Sequence, residues 1–196
     1  MVRAWRQHNF ILASASPRRL QLLRQIGIEP IVQAPDIEEK HYLDKTTPAE
    51  LATHNAIIKA QAVVNFYQGA DYVVIGADTI VFKDGQVFNK PEDAVDAALM
   101  LQKLSAAWHS VFTAICLVDC RNGRQLSGYR ETKVRFAALN DVEISSYVQS
   151  GEPLDKAGAY GIQGQGALLV EEISGDYGTV VGLSLPLLHQ LMQALL

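Results

Sequence analysis

The stretch Asp71-Tyr-Val-Val-Ile-Gly-Ala-Asp-Thr-Ile-Val-Phe82 decides the fold of this chain. Residues 72–75 are β-branched and aromatic, which is typical of a strand that is buried on both faces. Two small residues follow, and then Asp78 and Thr79 place a carboxylate and a hydroxyl where the apolar pattern predicts neither. A carboxylate inside an apolar run is unfavourable by several kcal/mol unless it is paired, hydrogen-bonded or bound to a metal.

Two interpretations of Asp78 are open from the local pattern. The first is an aspartate that starts a turn between two strands, because Asp is common in turns. The second is a functional carboxylate directly after a strand. The second is favoured because charged clusters elsewhere in the chain could converge on Asp78.

Composition limits the class of protein. The chain has 196 residues, of which 48% are hydrophobic and 19% charged, and we expect one domain, residues 1–196, with a sizeable core. The net charge of −4 argues against nucleic acid or an anionic membrane as a partner. The N-terminus Met1-Val-Arg-Ala-Trp-Arg-Gln-His lacks the apolar core of a signal peptide, and no run approaches the roughly 18 apolar residues of a membrane span. Cys116 and Cys120 are the only cysteines and are predicted to be core or edge residues. We therefore expect a cytoplasmic protein.

The segment Ser14-Ala-Ser-Pro-Arg-Arg follows a short predicted strand at residues 10–13 and starts a predicted helix. Ser16 is a suitable N-cap. Arg18 and Arg19 lie in the first helical turn, where cations oppose the helix dipole. Solvated surface arginines are one interpretation. The other is a phosphate site, in which serine hydroxyls, free backbone N–H groups and two guanidinium groups meet one anion. The segment lacks the glycines and the Gly-Lys-Ser/Thr of a P-loop.

A predicted second strand at residues 30–35 leads into Asp36-Ile-Glu-Glu. Such an acidic run is more often an exposed loop, but its position after a strand makes these carboxylates candidate metal ligands. The capping box Thr47-Pro-Ala-Glu then opens a helix that is predicted to extend to about Tyr67. Lys59 lies near the middle of this helix and is predicted to be snorkelling or solvated. The residues expected on its apolar face are Leu51, Ile58, Ala62 and Phe66.

The second half of the chain alternates predicted strands and helices around one glycine-rich segment. Residues 151–166 contain five glycines, which predicts a loop with close backbone approaches, as functional loops often have. His109 lies in an apolar strand, where a hydrogen-bonded structural histidine is favoured over a catalytic base. The other predicted elements are a hairpin turn at 83–86, a helix opened by Glu92 and Asp93, strands at 108–118 and 127–136, a helix at 140–148, strands at 168–170 and 179–181, and a final helix capped by Ser184.

Several of these motifs occur in one order that resembles the Maf family. They are Ser14-Ala-Ser-Pro-Arg-Arg, Gly76-Ala-Asp-Thr, Lys90-Pro, His109-Ser-Val-Phe-Thr, Glu131-Thr-Lys-Val-Arg-Phe, Asp155-Lys-Ala-Gly-Ala-Tyr-Gly-Ile-Gln-Gly and Val180-Val-Gly-Leu. The family consists of nucleoside-triphosphate pyrophosphatases and is named for an association with septum formation. Residues 155–164 are similar to the branch that hydrolyses dTTP and UTP. Asn89, Ala106 and Ala114 stand where glycine is common in the family.

The resemblance implies an α/β fold with an elongated, curved mixed β-sheet, flanking helices and two lobes around a central cleft, akin to inosine-triphosphate pyrophosphatases. It implies water attack on the α-phosphorus of a nucleoside triphosphate, with a divalent metal cation (Mg²⁺ or Mn²⁺), and a possible homodimer. Asp78 matches the proton acceptor of the family. The positions linked to substrate choice are Arg18, Thr79 and Gln163, and other polar residues of the cleft are Ser14, Glu39, Lys59 and Lys90.

The residues themselves suggest how these roles are divided. A triphosphate needs cations, which Arg18, Arg19, Lys59, Lys90 and also Lys156 could supply. A hard metal takes carboxylate oxygens such as those of Glu39 and Asp78. The sequence leaves open whether Asp78 is base, ligand or both. Two other functions remain as alternatives: a non-catalytic nucleotide-sensing regulator of septum formation, and the same chemistry on modified purine triphosphates.

Overall fold

The structure is a computed structural model that describes residues 7–43 and 45–196. Residues 1–6, on which the signal-peptide prediction largely rests, lie outside the described residues. The strands are β1 (Asn9–Ala13), β2 (Ile31–Val32), β3 (Tyr72–Lys83), β4 (Gln86–Phe88), β5 (Trp108–Asp119), β6 (Gln125–Phe136) and β7 (Val170–Ser174). The helices are α1 (Pro17–Gln25), α2 (Pro48–Val64), α3 (Ala94–Leu104), α4 (Asp141–Gln149), α5 (Tyr177–Val181) and α6 (Leu185–Leu195).

Seven strands form one mixed sheet in the order β2-β1-β3-β5-β6-β7, with β4 paired to β3. The pairs of β1 with β2 and β3 are parallel, and the other pairs are antiparallel. Helices pack against the sheet, so the predicted α/β fold with a mixed sheet and flanking helices is confirmed. No helix among the described residues is long and apolar enough to cross a membrane.

The central strand β3 is continuous through Asp78, so the interpretation of this residue as the start of a turn is wrong. Successive side chains of a strand point to opposite faces. Val73, Ile75 and Ala77 therefore pack in the core beneath α1 and α6. The side chain of Asp78 points the other way, towards α2.

A gap in the pairing of β3 creates the space for a site. On one edge of β3, β1 pairs only as far as Gly76, and β4 begins to pair at Val81. Within the described residues, positions 77–80 therefore have no strand partner on that edge. Asp78 and Thr79 lie in this gap, and their side chains point to opposite faces of the same strand.

Helix α2 buries only one of the four residues predicted on its apolar face, Leu51. Ile58 and Ala62 are only partly buried, and Phe66 lies beyond the end of the helix and is 75% exposed. The face against the sheet is instead rich in alanine and includes Asn55 and Lys59. Small residues are needed because a Cβ on Gly76 of β3 would lie only 2.9 Å from the Cβ of Ala60. Three of the four predicted residues therefore lie off the face that contacts the sheet.

Two predicted strands near the C-terminus are wrong or displaced. Residues 179–181 belong to the short helix α5, because Asp176 accepts hydrogen bonds from the backbone N–H groups of Gly178 and Thr179 and so caps a helix. Leu168 lies in a 3₁₀-helix and is 84% exposed, and β7 begins only at Val170. The other predicted elements are present, but the second strand is reduced to Ile31–Val32 and α2 ends at Val64 rather than near Tyr67. The N-caps Ser16, Thr47 and Ser184 are confirmed.

Candidate active site

A cavity of about 340 Å³ opens at the gap in β3. Its walls come from the end of β1, the start of α1, the loop after β2, the middle of α2, and the loop after α4. All nine predicted site residues line this one cavity: Ser14, Arg18, Arg19, Glu39, Lys59, Asp78, Thr79, Lys90 and Gln163. Residues that are up to about 150 positions apart in the sequence are therefore brought together around Asp78.

The carboxylate of Asp78 has a partner on each oxygen. Oδ1 lies 2.6 Å from Nζ of Lys59, and Oδ2 accepts a hydrogen bond of 3.0 Å from Nδ2 of Asn55. Both partners come from α2 and are four residues apart, so they lie on the same face of the helix. The ion pair and the hydrogen bond offset the cost of burying this carboxylate, whose side chain is only 9% exposed.

Lys59 joins two carboxylates rather than snorkelling to solvent. Its Nζ also lies 2.7 Å from Oε2 of Glu39, and its side chain is only 8% exposed. The prediction of a snorkelling or solvated lysine is therefore wrong. The lysine instead connects the loop after β2 to the central strand, and Glu39 and Asp78 share one counter-ion.

Asn55 is a site residue that the sequence analysis missed. Its Oδ1 accepts from the backbone N–H of Lys40 at 3.1 Å, and its Nδ2 donates to the carbonyl of Lys40 at 2.9 Å as well as to Asp78. One buried amide thus connects the loop that carries Glu39 to the central strand β3. The signal that could have found it is a polar residue four positions before Lys59 on the same helical face.

The two neighbouring arginines have different environments. Arg19 is buried and donates to the carbonyl of Gly182, to Oγ of Ser14 and to Oγ1 of Thr79 at 2.9, 2.9 and 3.2 Å. Burial lowers the pKa of Arg19, and the charges of Asp78 and Glu39 oppose that shift. Arg19 therefore acts as a fixed cation that connects three segments of the site.

Arg18 is more accessible and pairs across the cavity with the loop after α4. Its Nη1 lies 3.0 Å from Oδ2 of Asp155, a carboxylate that also contacts Lys156 at 2.6 Å. Burial raises the pKa of Asp155, but hydrogen bonds from Lys156 and Arg18 outweigh it and leave the pKa below its ordinary value. Asp155 thus remains ionised and holds Arg18 at the cavity wall.

A chain of hydroxyl groups fixes Thr79. The hydroxyl of Thr113 donates to the carbonyl of Thr179 at 2.7 Å, so its one proton is already used. The hydroxyl of Thr79, 2.9 Å away, must then donate to Thr113 and accept from Arg19. Thr113 is a second residue that the sequence analysis missed, because an apolar strand conceals which of its threonines faces the site.

Lys90 and Gln163 complete the cavity with side chains that are available to a ligand. Neither side chain has a hydrogen bond or ion pair to another described residue. His109 is different: it lies outside the cavity lining, and its Nε2 is 2.8 Å from the hydroxyl of buried Tyr160. Burial lowers the pKa of His109 to about 4, with a smaller effect of Lys83. This environment favours the structural interpretation of His109.

The charge of the cavity is opposite to that of the whole chain. Five cationic side chains and three carboxylates line it among the described residues, whereas the chain as a whole carries −4. The cations are Arg18, Arg19, Lys59, Lys90 and Lys156. Such a surface favours an anion with several negative charges.

The donor set fits a hard divalent cation that is held jointly with a phosphate ligand. Glu39 and Asp78 offer carboxylate oxygens on either side of Lys59. No group of three or more His, Cys, Asp or Glu side chains in the described part of the chain could hold an ion alone. Mg²⁺ is commonly bound by one or two carboxylates together with substrate phosphates, which is the arrangement these residues allow.

Comparison with known proteins gives consistent matches over most of the chain. The family model described as Maf-like protein matches residues 9–195. A relative from Symbiobacterium thermophilum is 50% identical over 185 residues, which cover 94% of this chain and 91% of the relative. A relative from Dictyoglomus turgidum is 44% identical, and the match covers 93% of this chain and 93% of the relative. A relative from Aquifex aeolicus is 43% identical, and the match covers 94% of each chain. All three relatives carry the name dTTP/UTP pyrophosphatase.

The first prediction concerns the buried ion pair at the centre of the cavity. Lys59→Met leaves Asp78 without its counter-ion, and we expect the free energy of unfolding to fall by roughly 3–5 kcal/mol. The matched control is Lys83→Met, since Lys83 pairs with Asp84, which is 82% exposed, and should cost less than about 1 kcal/mol. Urea unfolding of both variants measures the difference. Equal stabilities of the two variants would show that Lys59 does not compensate a buried charge.

Proposed function

The chain belongs to the Maf family, and from this premise we propose that it is a nucleoside-triphosphate pyrophosphatase that hydrolyses dTTP and UTP. The products are the nucleoside monophosphate and pyrophosphate. The observation that carries the proposal is the buried carboxylate of Asp78, held by Lys59 and Asn55 inside a cavity with excess positive charge. Cations bind a triphosphate, and the carboxylate accepts a proton from the attacking water.

The accessible cations are suited to the phosphates. Arg18 and Asp155 form a partly exposed ion pair, and such pairs contribute little to stability. Replacing Asp155 by a phosphate as the partner of Arg18 therefore costs little free energy. The guanidinium group can bind phosphate oxygens in a bidentate manner. Lys90, which has no partner among the described residues, adds a second mobile cation. Arg19 is already committed to three protein groups, and so contributes mainly a fixed field and the position of Thr79.

The reaction requires one proton transfer. The oxygen of water forms a bond to the α-phosphorus, the bond between this phosphorus and the bridging oxygen breaks, and the bond's electron pair leaves with pyrophosphate. Asp78 accepts the proton of the water, and its orientation is fixed because each of its oxygens has a partner on α2.

Glu39 and Asp78 would hold a Mg²⁺ or Mn²⁺ ion together with the phosphates. When bound, such an ion neutralises charge on the phosphate oxygens. Lys59 lies between the two carboxylates and keeps them near each other. Phosphoryl transfer depends chiefly on position and electrostatics, which these fixed groups supply.

Gln163 is proposed to recognise the base. Uracil and thymine present an acceptor at O4 and a donor at N3. A glutamine amide can donate its NH₂ to O4 and accept from N3–H with its C=O. Cytosine reverses this pattern, so an amide held in one orientation rejects it. The 5-position of the ring lies away from this edge, so thymine and pyrimidines modified at that position fit the same arrangement.

The second prediction tests the proton acceptor. Asp78→Asn keeps the shape of the side chain and removes its charge, and we expect pyrophosphate release from UTP with Mg²⁺ or Mn²⁺ to fall about 10²–10⁴-fold. Asp84→Asn is the matched control: Asp84 lies in the exposed turn after the same strand at φ 50, which asparagine tolerates. The control should retain full activity. More than about half of wild-type activity in a folded Asp78→Asn variant would exclude Asp78 as base or essential ligand. No release from the wild type would instead favour a non-catalytic nucleotide sensor.

The third prediction concerns Gln163. The wild type should prefer UTP and dTTP over CTP by at least about tenfold in kcat/KM, and Gln163→Glu should erode this preference, because a carboxylate cannot donate to O4. Gln102→Glu introduces the same charge at an exposed position on α3, outside the cavity lining, and serves as the control. Rates on a panel of UTP, dTTP, CTP and purine triphosphates provide the measurement. Equal kcat/KM values on CTP and UTP in the wild type would refute the role of Gln163.

A further inference from the structure

Gln163 lines the cavity, but the backbone on either side of it is hydrogen-bonded to residues that do not line the cavity. No described residue hydrogen-bonds to the side-chain amide of Gln163, so the chain on either side of it must determine where the amide lies. Gly161 on one side and Gln165 and Gly166 on the other each donate a backbone N–H to a side chain. These acceptors are Tyr147 and Glu152, and neither lines the cavity.

One carboxylate and one phenol accept these bonds as a connected unit. Glu152 accepts from the backbone N–H of Gln165 at 3.0 Å and of Gly166 at 3.2 Å. Its Oε1 also accepts from the hydroxyl of Tyr147 at 3.0 Å. The same hydroxyl accepts from the N–H of Gly161 at 3.2 Å. We call Glu152 and Tyr147 the loop clamp.

The glycines of the loop allow its backbone to approach the loop clamp closely. A Cβ on Gly164 would lie 2.8 Å from Oε2 of Glu152, and a Cβ on Gly166 would lie 2.6 Å from the hydroxyl of Tyr147. The backbone therefore approaches the clamp as closely as only glycine allows. Burial raises the pKa of Tyr147, so its phenol keeps the proton that it donates to Glu152.

From this arrangement we propose that Glu152, together with Tyr147, positions Gln163 and thereby sets the selectivity of the site for the base. The inference rests on the proposed function, since it assigns the fixed amide orientation on which discrimination between uracil and cytosine depends. Glu152 and Tyr147 are positioning residues: they touch neither the phosphates nor the base. Their loss should change base selection more than phosphate binding.

Glu152→Gln provides a nearly isosteric test. In either orientation the new amide directs an NH₂ group at a backbone N–H that formerly had an acceptor. We expect the kcat/KM for UTP to fall roughly tenfold and the UTP-to-CTP ratio to fall at least about fivefold. Product inhibition by pyrophosphate, which reports the phosphate site alone, should stay within about twofold of wild type. Backbone amides 165 and 166 should exchange hydrogen faster.

Tyr147→Phe removes only the hydroxyl and carries the test if Glu152→Gln does not fold. It should shift selectivity in the same direction by a smaller factor, and the double variant should fall short of the product of the single effects, because both residues belong to one network. The control is Glu143→Gln on α4, which removes the same charge from a side chain that bonds the backbone of Asn140. Its selectivity should equal that of wild type.

The outcomes separate the inference from the proposed function. If wild type selects UTP over CTP and both clamp variants retain that ratio, the inference is overturned and the proposed function stands. If wild type hydrolyses neither UTP nor dTTP, the proposed function fails and the inference fails with it. A loss of pyrophosphate inhibition as large as the loss of selectivity would show a general structural role and would also overturn the inference.

Discussion

The ion pair between Asp78 and Lys59 is the constraint on which the rest of the site depends. A carboxylate in the middle of the central strand is tolerated only because an ammonium group 2.6 Å away and an amide of Asn55 bind its two oxygens. Both partners lie on α2, so this helix must approach the strand closely. Gly76 and the alanines of α2 allow that approach. The close packing of α2 against β3 is therefore also what places Lys59 and Asn55 beside Asp78.

The gap in the sheet explains how distant segments reach one cavity. Because β1 ends beside Gly76 and β4 begins to pair at Val81, the intervening edge of β3 faces the start of α1 and the loop after α4. Arg19 links the start of α1 to β3 and to the end of α5 by bonding Ser14, Thr79 and Gly182. Arg18 pairs with Asp155 in the loop after α4. In the proposed function, the cations around Asp78 bind the phosphates, and the clamped glycine-rich loop positions the side chain that recognises the base.

Local sequence patterns predicted the structural features that depend only on residues near each other in the sequence. Helix N-caps such as Ser16 and Ser184 follow from rules that act within one helical turn, and the motif residues around Asp78 were correctly expected to converge. The buried face of α2 was predicted wrongly at Ile58 and Phe66, which were chosen for their apolarity. Close packing against Gly76 selects alanine instead, and the carboxylate of Asp78 selects Asn55 and Lys59. Such packing is a property of two elements together.

The sequence also did not predict the roles of residues whose partners lie far along the chain. Arg18 and Arg19 are adjacent in sequence, but one pairs with an exposed carboxylate and the other is buried among three acceptors. Residues 179–181 have the composition of a strand, yet the cap at Asp176 and the bond of Thr113 to the carbonyl of Thr179 hold them in a short helix. Glu152 had no local signal, because the backbone N–H groups that it accepts from lie 13 and 14 positions later in the chain.

In the proposed reaction, this site directs water to the α-phosphorus of a pyrimidine triphosphate. Hydrolysis of UTP in water enriched in heavy oxygen, followed by mass spectrometry of the products, shows which phosphorus is attacked. We expect the label in the phosphate of UMP and none in pyrophosphate. Label in pyrophosphate, or release of inorganic phosphate in its place, would place the attack at another phosphorus and refute the proposed mechanism.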